Sequence, residues 1–261
     1  MVALTFDFEW FMDQVRTATG LDLTQYKRAQ MERRLAALCA KRGFHSYGTY
    51  MQAMLERPEL MAELLDRTTI NVSEFYRNPA RWEMLRTYIL PRLIQNGQLH
   101  AWSAACSTGQ EPYTLLLLLA EIMPLEGVQV LATDIDDRAL HSARLGVFAT
   151  DALIPIPQVM RNRYFQPVDA DHWRIDPRLQ ERVQLVRHDL LVDPCHKTFD
   201  LIVCRNVLIY FTESAKSGVF RKLGAALRPG GVLFLGATEQ IPNSAAYELT
   251  QIAPFFYRRN D

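Results

Sequence analysis

The sequence is poor in cysteine and has no excess charge of either sign. Its cysteines, Cys39, Cys106, Cys195 and Cys204, form no CxxC pair and have no histidine partner at zinc spacing. A reduced chain without a metal site is therefore expected. Lys plus Arg equals Asp plus Glu at 29 each. This balance argues against the broad basic surface that nucleic acid requires, so we expect no nucleic-acid partner, although a local basic patch is still allowed.

The sequence also lacks an apolar run long enough to span a membrane. Its first residues, MVALTFDFEWFMDQV, carry acids where a signal peptide needs a basic segment. We therefore expect a cytoplasmic protein with no direct membrane insertion, and we expect it to be a monomer. The composition, 49% hydrophobic and 22% charged, is ordinary for a soluble protein, and the length of 261 residues favours one large domain or one domain with a smaller attachment.

Residues up to Ile89 have the periodicity of helices only. Phe8, Phe11 and Val15 fall on one helix face, and Gly20 follows as a stop. The further predicted helices are Thr24 to Gly43, two shorter ones within SYGTYMQAMLE and PELMAELLD, and one that Asn78 caps and Pro79 begins. Residues 1–77 are therefore predicted to form an all-α N-terminal domain.

After Gly97 the sequence alternates between strand-like and helical segments. The strand-like segments are QLHAWSAA, VQVLATDID, VQLVRHDLL, FDLIVCRN and, after an RPGG turn, GVLFLGATE, with a last hairpin in AYELTQIAPFFYRR. This alternation predicts an α/β domain over residues 78–261, with a mostly parallel sheet and helices on both faces. The pattern breaks at about 149–182, which we interpret as a small inserted β-subdomain.

Polar residues follow the predicted strands where each strand ends. In FDLIVCRNVLIYF, Arg205 and Asn206 separate two apolar runs, although a buried charge or amide without partners costs several kcal/mol. Glu111 opens the helix after the first strand, and Asp134 and Asp189 follow two other strands. Ligands of such sheets bind beyond the carboxyl ends of the strands, so we expect these side chains to line one binding site.

The glycines of a dinucleotide-binding turn are missing from this site. Gly109 stands where a dehydrogenase needs three glycines, and Glu111 would repel phosphate. Asp134 stands where a carboxylate commonly binds ribose hydroxyls; the alternative is a helix N-cap, for which Asp136 or Asp137 could also serve. These groups indicate a nucleoside without phosphates that carries a positive charge. S-adenosylmethionine has that description.

Four segments, taken in order, resemble one family of methyltransferases. They are TTINVSEFYRNP, WSAACSTGQEPYTLLLLL, ATDIDDRAL and CRNVLIYF. Nearly the whole chain resembles the bacterial chemotaxis receptor methyltransferases (the CheR family), which esterify glutamate side chains of chemoreceptors in sensory adaptation. The resemblance implies a Rossmann-like class I methyltransferase domain and a protein-glutamate O-methyltransferase that converts S-adenosylmethionine to S-adenosylhomocysteine. The implied partner is the cytoplasmic signalling domain of chemoreceptors.

The resemblance also implies which residues form the site. The implied cofactor contacts are Asn71, Ser73, Arg77, Glu111, Asp134, Asp189, Leu190, Arg205 and Asn206. We hypothesise that Arg77 holds a carboxylate, of either the substrate or the cofactor's methionyl end; the alternative is a salt bridge between the two domains. Tyr210 is implied to lie over the reaction centre, where it would orient the nucleophile or the methyl group; the alternative is an aromatic core residue.

The second predicted helix carries a row of basic residues. Lys27, Arg34 and Lys41 are seven residues apart and nearly in line, with Arg33 beside them. They form either a solvated helix face or a basic ridge that binds an acidic receptor helix bundle, as the family is thought to use this domain. Both interpretations stay open at this point.

The inserted subdomain bears on the choice of receptor. Some members of the family carry a Gly-rich loop there that captures a tethering pentapeptide at the receptor's C-terminus by strand addition. The corresponding hairpin tip in this chain, PVDAD, is short and free of glycine. The chain therefore resembles the pentapeptide-independent members, and we expect no binding of such a peptide.

Two other functions remain open on the sequence alone. One is a class I methyltransferase that acts on another protein carboxylate or on RNA, although the neutral charge disfavours RNA and no Asn/Asp-Pro-Pro-aromatic motif is present. The other is a non-catalytic cofactor sensor or scaffold that kept the fold. The presence of Arg77 and Tyr210 argues against the second.

Overall fold

The structure, a computed structural model, describes residues 3–68 and 73–260 of the chain. The chain divides into two units. The first comprises Met1–Ile70 and Tyr210–Ser217, and the second comprises Asn71–Ile209 and Gly218–Asp261. The segment Tyr210–Ser217 thus groups with the helical N-terminal residues, although it lies far along the sequence. The predicted domain boundary after residue 77 stays a prediction.

Apolar periodicity and caps account for the helices of the first unit. These helices are α1 (Ala3–Thr19), α2 (Arg28–Lys41), α3 (Tyr47–Glu56) and α4 (Pro58–Thr68). Phe8, Phe11 and Val15 are fully buried, as their spacing predicts. The Ser46 hydroxyl caps α3 by accepting a hydrogen bond from Thr49 N at 3.2 Å.

The second helix begins at Arg28, so the predicted start at Thr24 is wrong. Leu23–Gln25 forms a separate 3-10 turn instead. Tyr26 then adopts an extended backbone and pairs with Phe211 in an isolated antiparallel bridge. A contact with a distant part of the sequence therefore delays the start of the helix, and helical periodicity carries no sign of such a contact.

The second unit contains the predicted sheet and its covering helices. Its strands are β1 (Leu99–Ala104), β2 (Val128–Asp134), β3 (Val147–Ala149), β4 (Phe165–Pro167), β5 (His172–Ile175), β6 (Val183–Arg187), β7 (Phe199–Cys204), β8 (Leu227–Leu235), β9 (Leu249–Ala253) and β10 (Phe256–Arg259). Its helices are α5 (Pro79–Met84), α6 (Leu90–Leu93), α7 (Gln110–Leu119), α8 (Asp137–Leu145), α9 (Gln158–Tyr164) and α10 (Pro177–Gln180), with α11 (Glu213–Ala226) shared by both units.

The strand order identifies where a ligand is expected to bind. Within the described residues, the large sheet has seven strands in the order β6-β2-β1-β7-β8-β10-β9. The neighbours from β6 to β8 are parallel, and β10 runs antiparallel to β8 and β9. This confirms the predicted α/β fold with its closing hairpin. The strand order reverses between β1 and β7, and the carboxyl ends of strands at such a point form the usual binding crevice.

The predicted RPGG turn lies inside the range of β8. Leu227 aligns with Phe199 of β7, but the next aligned pair is Val232 with Leu201. The register therefore jumps, and the residues between Leu227 and Val232 bulge out of the ladder. Gly230 permits this geometry because its φ is 74°.

Two strands of a second, smaller sheet, β4 and β5, lie in the region where the predicted rhythm breaks, and its third strand, β3, begins just before that region. Within the described residues it has three antiparallel strands in the order β3-β5-β4. The tip between β4 and β5 contains Val168, which is 47% exposed. The predicted limits of the insertion, 149–182, stay a prediction. Every helix of the described residues is too short or too polar to cross a lipid bilayer.

Candidate functional site

The loop after β1 is fixed to the end of β2. Ser107 N donates a hydrogen bond to Asp134 Oδ2 at 2.8 Å, and Cys106 N donates to the Thr133 carbonyl at 2.8 Å. Ala105 and Ser107 have φ angles of 67° and 51°, which non-glycine residues rarely adopt. Strained backbone of this kind persists only where its surroundings hold it, and it is frequent at ligand sites.

Gly109 is required where this loop becomes α7. Its φ is 96°, and a Cβ atom at this position would lie 3.0 Å from Ala143 Cβ and 3.1 Å from Tyr113 Cε2. The Tyr113 hydroxyl donates to the Ala143 carbonyl at 2.9 Å. The single glycine of this loop therefore serves the close packing of α7 against α8 rather than a phosphate group.

Asp134 is a buried carboxylate and is not a helix cap. The cap of α8 is Asp136, whose Oδ1 accepts from Arg138 N and Ala139 N. Asp134 accepts from Ser107 N and, through Oδ1, from Asp136 N at 3.0 Å. Burial raises the pKa of Asp134. A carboxylate has about four lone-pair sites, so Asp134 can still accept a hydrogen bond from a ligand hydroxyl.

Glu111 is held beside the end of β1. Its Oε1 accepts from the Ser103 hydroxyl at 2.8 Å, and its Oε2 lies 3.9 Å from Arg205 Nη1. Burial raises the pKa of Glu111 to about 7, against the opposing effects of the Arg205 charge and the Ser103 hydrogen bond. A carboxylate in this condition gains much from a cationic ligand, because such a ligand would stabilise its ionised form.

Arg205 fills the space at the end of β7 and is almost fully buried. Its Nη2 donates to the Arg77 carbonyl and to Asn78 Oδ1, each at 2.8 Å. Its guanidinium lies over the rings of Trp82 and Phe234, at 5.3 Å and 4.8 Å from their centroids. These contacts explain how a cation is tolerated between two apolar runs.

The contact with Arg205 overturns one prediction about the start of α5. Asn78 occupies the N-cap position and Pro79 follows it, but the Asn78 side chain caps no helix amide. Its oxygen accepts from Arg205 instead, and its φ is 61°. The capping prediction for Asn78 is therefore wrong, because the buried guanidinium has the stronger demand for an acceptor.

Glu239 holds the turn after β7, a role that the sequence did not reveal. Its carboxylate accepts hydrogen bonds from Asn206 N, Leu208 N and Gly236 N, all at 2.8 Å. Asn206 has a φ of 61°, so the turn after β7 is both strained and anchored. Burial raises the pKa of Glu239. One sequence pattern could have pointed to Glu239. It follows the end of β8, just as the predicted polar residues follow the ends of other strands.

Lys222 is a second residue that the sequence did not reveal. Its Nζ donates to the Leu190 carbonyl at 2.7 Å and to the Asp193 carbonyl at 2.5 Å. Asp189 accepts from Leu191 N at 2.8 Å and donates its own amide to Asp193 Oδ2 at 2.8 Å. The loop that carries the predicted residues Asp189 and Leu190 is therefore closed on itself and fastened to α11.

The remaining predicted residues of the second unit lie ahead of α5. Asn71 is outside the described residues. Ser73 and Arg77 are half-buried, and the Arg77 carbonyl accepts from Trp82 Nε1 at 3.1 Å as well as from Arg205. Burial is the main cause of the raised pKa of Glu111 and of the lowered pKa of Arg205. The charge of Arg77 opposes the first shift and adds to the second. The structure thus brings Arg77, Glu111 and Arg205 together.

Four predicted basic residues of the first unit lie on α2 or directly before it, and two of them contact Tyr210. Arg33 and Lys41 are exposed, whereas Lys27 and Arg34 are half-buried. Lys27 N donates to the Tyr210 carbonyl at 2.8 Å, and the Arg34 guanidinium lies 5.7 Å from the centroid of the Tyr210 ring. The four basic residues therefore differ in their exposure to solvent.

The groups at the strand ends fit a cationic nucleoside such as S-adenosylmethionine. The Ser107 hydroxyl and Arg205 Nε are buried and have no hydrogen-bond partner among the described residues. Asp134 can accept from ribose hydroxyls, and Glu111 can accept from an ammonium group. No group of three or more His, Cys, Asp or Glu side chains within residues 3–68 and 73–260 could hold a metal ion.

Two protein-family models match the chain over most of its length. The model of the CheR methyltransferase SAM-binding domain matches residues 71–255, and that of the CheR methyltransferase all-alpha domain matches residues 7–69. The chain belongs to the CheR methyltransferase family. It is an S-adenosylmethionine-dependent methyltransferase, and the resemblance stated from its motifs is confirmed.

Curated relatives of this methyltransferase cover nearly the whole chain. The chemotaxis protein methyltransferase of Listeria monocytogenes is 39% identical over 253 residues, which are 96% of each chain. Chemotaxis protein methyltransferase 1 of Pseudomonas aeruginosa is 33% identical over 97% of each chain. Among solved structures, the glycopeptide N-methyltransferase MtfA with sinefungin is 17% identical, with a TM-score of 0.40 over 72% of this chain and 60% of that chain.

Proposed function

We propose that this methyltransferase transfers the methyl group of S-adenosylmethionine to glutamate side chains of chemoreceptor signalling domains. The products would be glutamate methyl esters and S-adenosylhomocysteine. The observation that carries the cofactor assignment is Glu111, a buried carboxylate whose Oε2 lies 3.9 Å from Arg205 Nη1, beyond hydrogen-bond distance. The substrate assignment is supported by the relatives, which are named chemotaxis protein methyltransferases and match the chain from end to end.

The cofactor site that we propose lies at the ends of β1, β2, β6 and β7. Asp134 would accept from the ribose hydroxyls, and Glu111 would accept from the ammonium of the methionyl group. Asp189 and Leu190 would border the base, and Arg205 and Asn206 would close the crevice beside Glu111. We include Asn71, Ser73 and Arg77 in the same site on the strength of the resemblance alone.

The proposed chemistry needs no general base. S-adenosylmethionine supplies a methyl group on a positively charged sulfur. A glutamate side chain has a pKa of about 4.3 and is ionised at neutral pH, so it can attack without losing a proton. The enzyme has to align the two groups and exclude water, and alignment alone can supply roughly 7–11 kcal/mol.

Arg77 and Tyr210 are the residues that we propose for this alignment. Arg77 would hold a carboxylate with its planar fork, either the attacking glutamate or the methionyl carboxylate. Burial raises the pKa of Glu111 and lowers that of Arg205, and the charge of Arg77 acts on both groups, against the first shift and with the second. Tyr210 would orient the nucleophile or the methyl group.

The proposed receptor surface is the basic side of α2. Lys27, Arg33, Arg34 and Lys41 would attract an acidic helix bundle and raise the rate of encounter. The short hairpin between β4 and β5 supports a receptor that needs no tethering peptide. We also propose that the protein acts in the cytoplasm as a monomer.

The test is methyl transfer from labelled S-adenosylmethionine to a purified chemoreceptor signalling domain, with Arg77→Ala measured beside the unsubstituted protein. Label on the receptor that is lost in Arg77→Ala would support both the activity and the role of Arg77. Equal labelling by both proteins would remove Arg77 from the mechanism. Cofactor binding without any transfer would contradict the proposed substrate.

A further inference from the structure

The main chain at Tyr210 is fixed to the segment that precedes α2. Lys27 N donates to the Tyr210 carbonyl at 2.8 Å, and Thr212 N donates to the Gln25 carbonyl at 2.8 Å. The residues between these two pairs form an isolated antiparallel bridge. The helical unit therefore sets the position of the Tyr210 backbone.

The ring of Tyr210 is held by a residue of α2 itself. The Arg34 guanidinium lies over this ring, 5.7 Å from its centroid. Arg34 Nη1 also donates to the carbonyl of Thr68, the last residue of α4, at 2.9 Å. Because one edge of the guanidinium is bound to α4, its planar face is held over the ring and limits the rotation of the tyrosine.

Arg33 differs from Arg34 in a way that provides a control. The two residues carry the same charge on consecutive positions of one helix, and consecutive positions face different directions. Arg33 is exposed, whereas Arg34 is half-buried between Thr68 and Tyr210. Loss of either arginine removes one positive charge from α2, but only the loss of Arg34 removes the support of the ring.

We propose that Arg34 is a positioning residue that holds the Tyr210 ring for methyl transfer. This inference rests on the role proposed above for Tyr210. Arg34 acts through the ring and does not touch the reacting atoms. The helix that is proposed to meet the receptor thus also sets one side chain of the reaction centre, so the helical unit contributes to turnover as well as to recognition.

The kinetic test compares Arg34→Ala, Arg34→Lys and Arg33→Ala with the receptor domain as substrate. Both alanine variants are expected to raise KM for the receptor, because both lose one charge. Arg34→Ala alone is expected to lower kcat, by about tenfold. Arg34→Lys is expected to recover KM but only part of kcat, since an ammonium group has no planar face. Equal kcat values for Arg34→Ala and Arg33→Ala would overturn the proposal.

A second measurement is independent of the substrate. 3-Fluorotyrosine is placed at position 210, and its fluorine NMR resonance is compared among the same variants, with thermal unfolding as the check on folding. The resonance is expected to shift in Arg34→Ala and not in Arg33→Ala. If Arg34→Ala does not fold, Arg34→Lys is compared with Arg33→Ala instead. An unchanged resonance overturns the proposal. If the unsubstituted protein labels no receptor, the proposed function fails, and the resonance still decides whether Arg34 holds the ring.

Discussion

Charged side chains at the strand ends of the second unit and those along α2 of the first unit are held in opposite ways. Arg205 is 6% exposed and has two hydrogen bonds and two aromatic rings around it, and Glu239 is 4% exposed with three amides on its carboxylate. Arg33 and Lys41 are exposed. A buried charge has fixed geometry, whereas an exposed one acts through a potential that salt screens. Burial, rather than charge, therefore separates the two groups.

The comparison predicts which measured quantity each region controls. Substitution at the strand ends should change the free energy of unfolding and the affinity for the cofactor. Substitution of exposed residues on α2 should change the apparent affinity for the receptor and its dependence on salt. Substitution of Arg34, which is half-buried and contacts Thr68 and Tyr210, should change turnover as well as receptor affinity.

The largest effect is expected for Arg205→Ala. This change removes the Arg205 charge beside Glu111 and the donor to Asn78, so the free energy of unfolding should fall by about 3–5 kcal/mol. Urea denaturation measures it. The control is Arg187→Ala, which removes an exposed arginine 3.6 Å from Asp137 and should cost less than about 1 kcal/mol. If the free energy of unfolding fell equally in both variants, burial would not distinguish the two kinds of charged residue.

The next effect is expected for Glu239→Gln. The amide keeps one acceptor but places a donor against backbone N–H groups, so the free energy of unfolding should fall by about 2 kcal/mol and cofactor affinity should weaken. Denaturation and calorimetry with S-adenosylhomocysteine measure the two quantities. Glu248→Gln, at an exposed ion pair with Arg259, is the matched control. An unaltered affinity for S-adenosylhomocysteine in Glu239→Gln would mean that Glu239 plays no part in cofactor binding.

A pH-dependent effect is expected from Glu111. Burial raises its pKa from 4.5 to about 7, so the stability associated with its neutral form is present below 4.5 and is lost as pH rises through about 7. Cofactor affinity should change in the opposite direction, weakening by up to about tenfold per pH unit below the pKa, because an ammonium group binds the ionised carboxylate. Calorimetry on either side of pH 7 tests this. The same pH profile in Glu111→Gln would assign the titration to another group.

A smaller, salt-dependent effect is expected from the exposed residues of α2. Arg33→Glu combined with Lys41→Glu should raise KM for the receptor several-fold at low salt, and the difference should shrink as ionic strength rises. The free energy of unfolding should change little, in contrast to Arg205→Ala. Initial rates over a salt series measure the effect. Unchanged KM at low salt would favour a solvated helix face over a basic ridge.

The smallest effect is expected at the inserted sheet. The tip between β4 and β5 has no glycine, so a tethering pentapeptide should not bind there measurably. Calorimetry with the peptide and the intact protein provides the test. Tight binding would show that strand addition does not need the Gly-rich loop.

Much of the fold follows from the sequence because its signals are local. The strand FDLIVC stops at Arg205 since apolar alternation ends there, and the polar residues at strand ends converge because parallel strands end at one edge of a sheet. The sequence also offered Asp136 as a candidate cap of α8, because aspartate is favoured at helix N-caps.

The features that the sequence did not reveal depend on distant contacts. α2 starts at Arg28 because Tyr26 pairs with Phe211, and Asn78 serves Arg205 instead of its own helix. Glu239 anchors a turn 33 positions earlier in the chain. No periodicity or capping rule encodes such pairs, so they become visible only when the folded backbone brings them together.

The central claim is that the methyl group is placed on a glutamate carboxylate of a chemoreceptor. The most direct test labels the receptor domain with this enzyme and S-adenosylmethionine, removes free cofactor, and exposes the protein to mild alkali. A methyl ester hydrolyses, so the label is predicted to leave the receptor as volatile methanol. Label that stays on the receptor through alkali would mean that the methyl group is not on a carboxylate and would contradict the account.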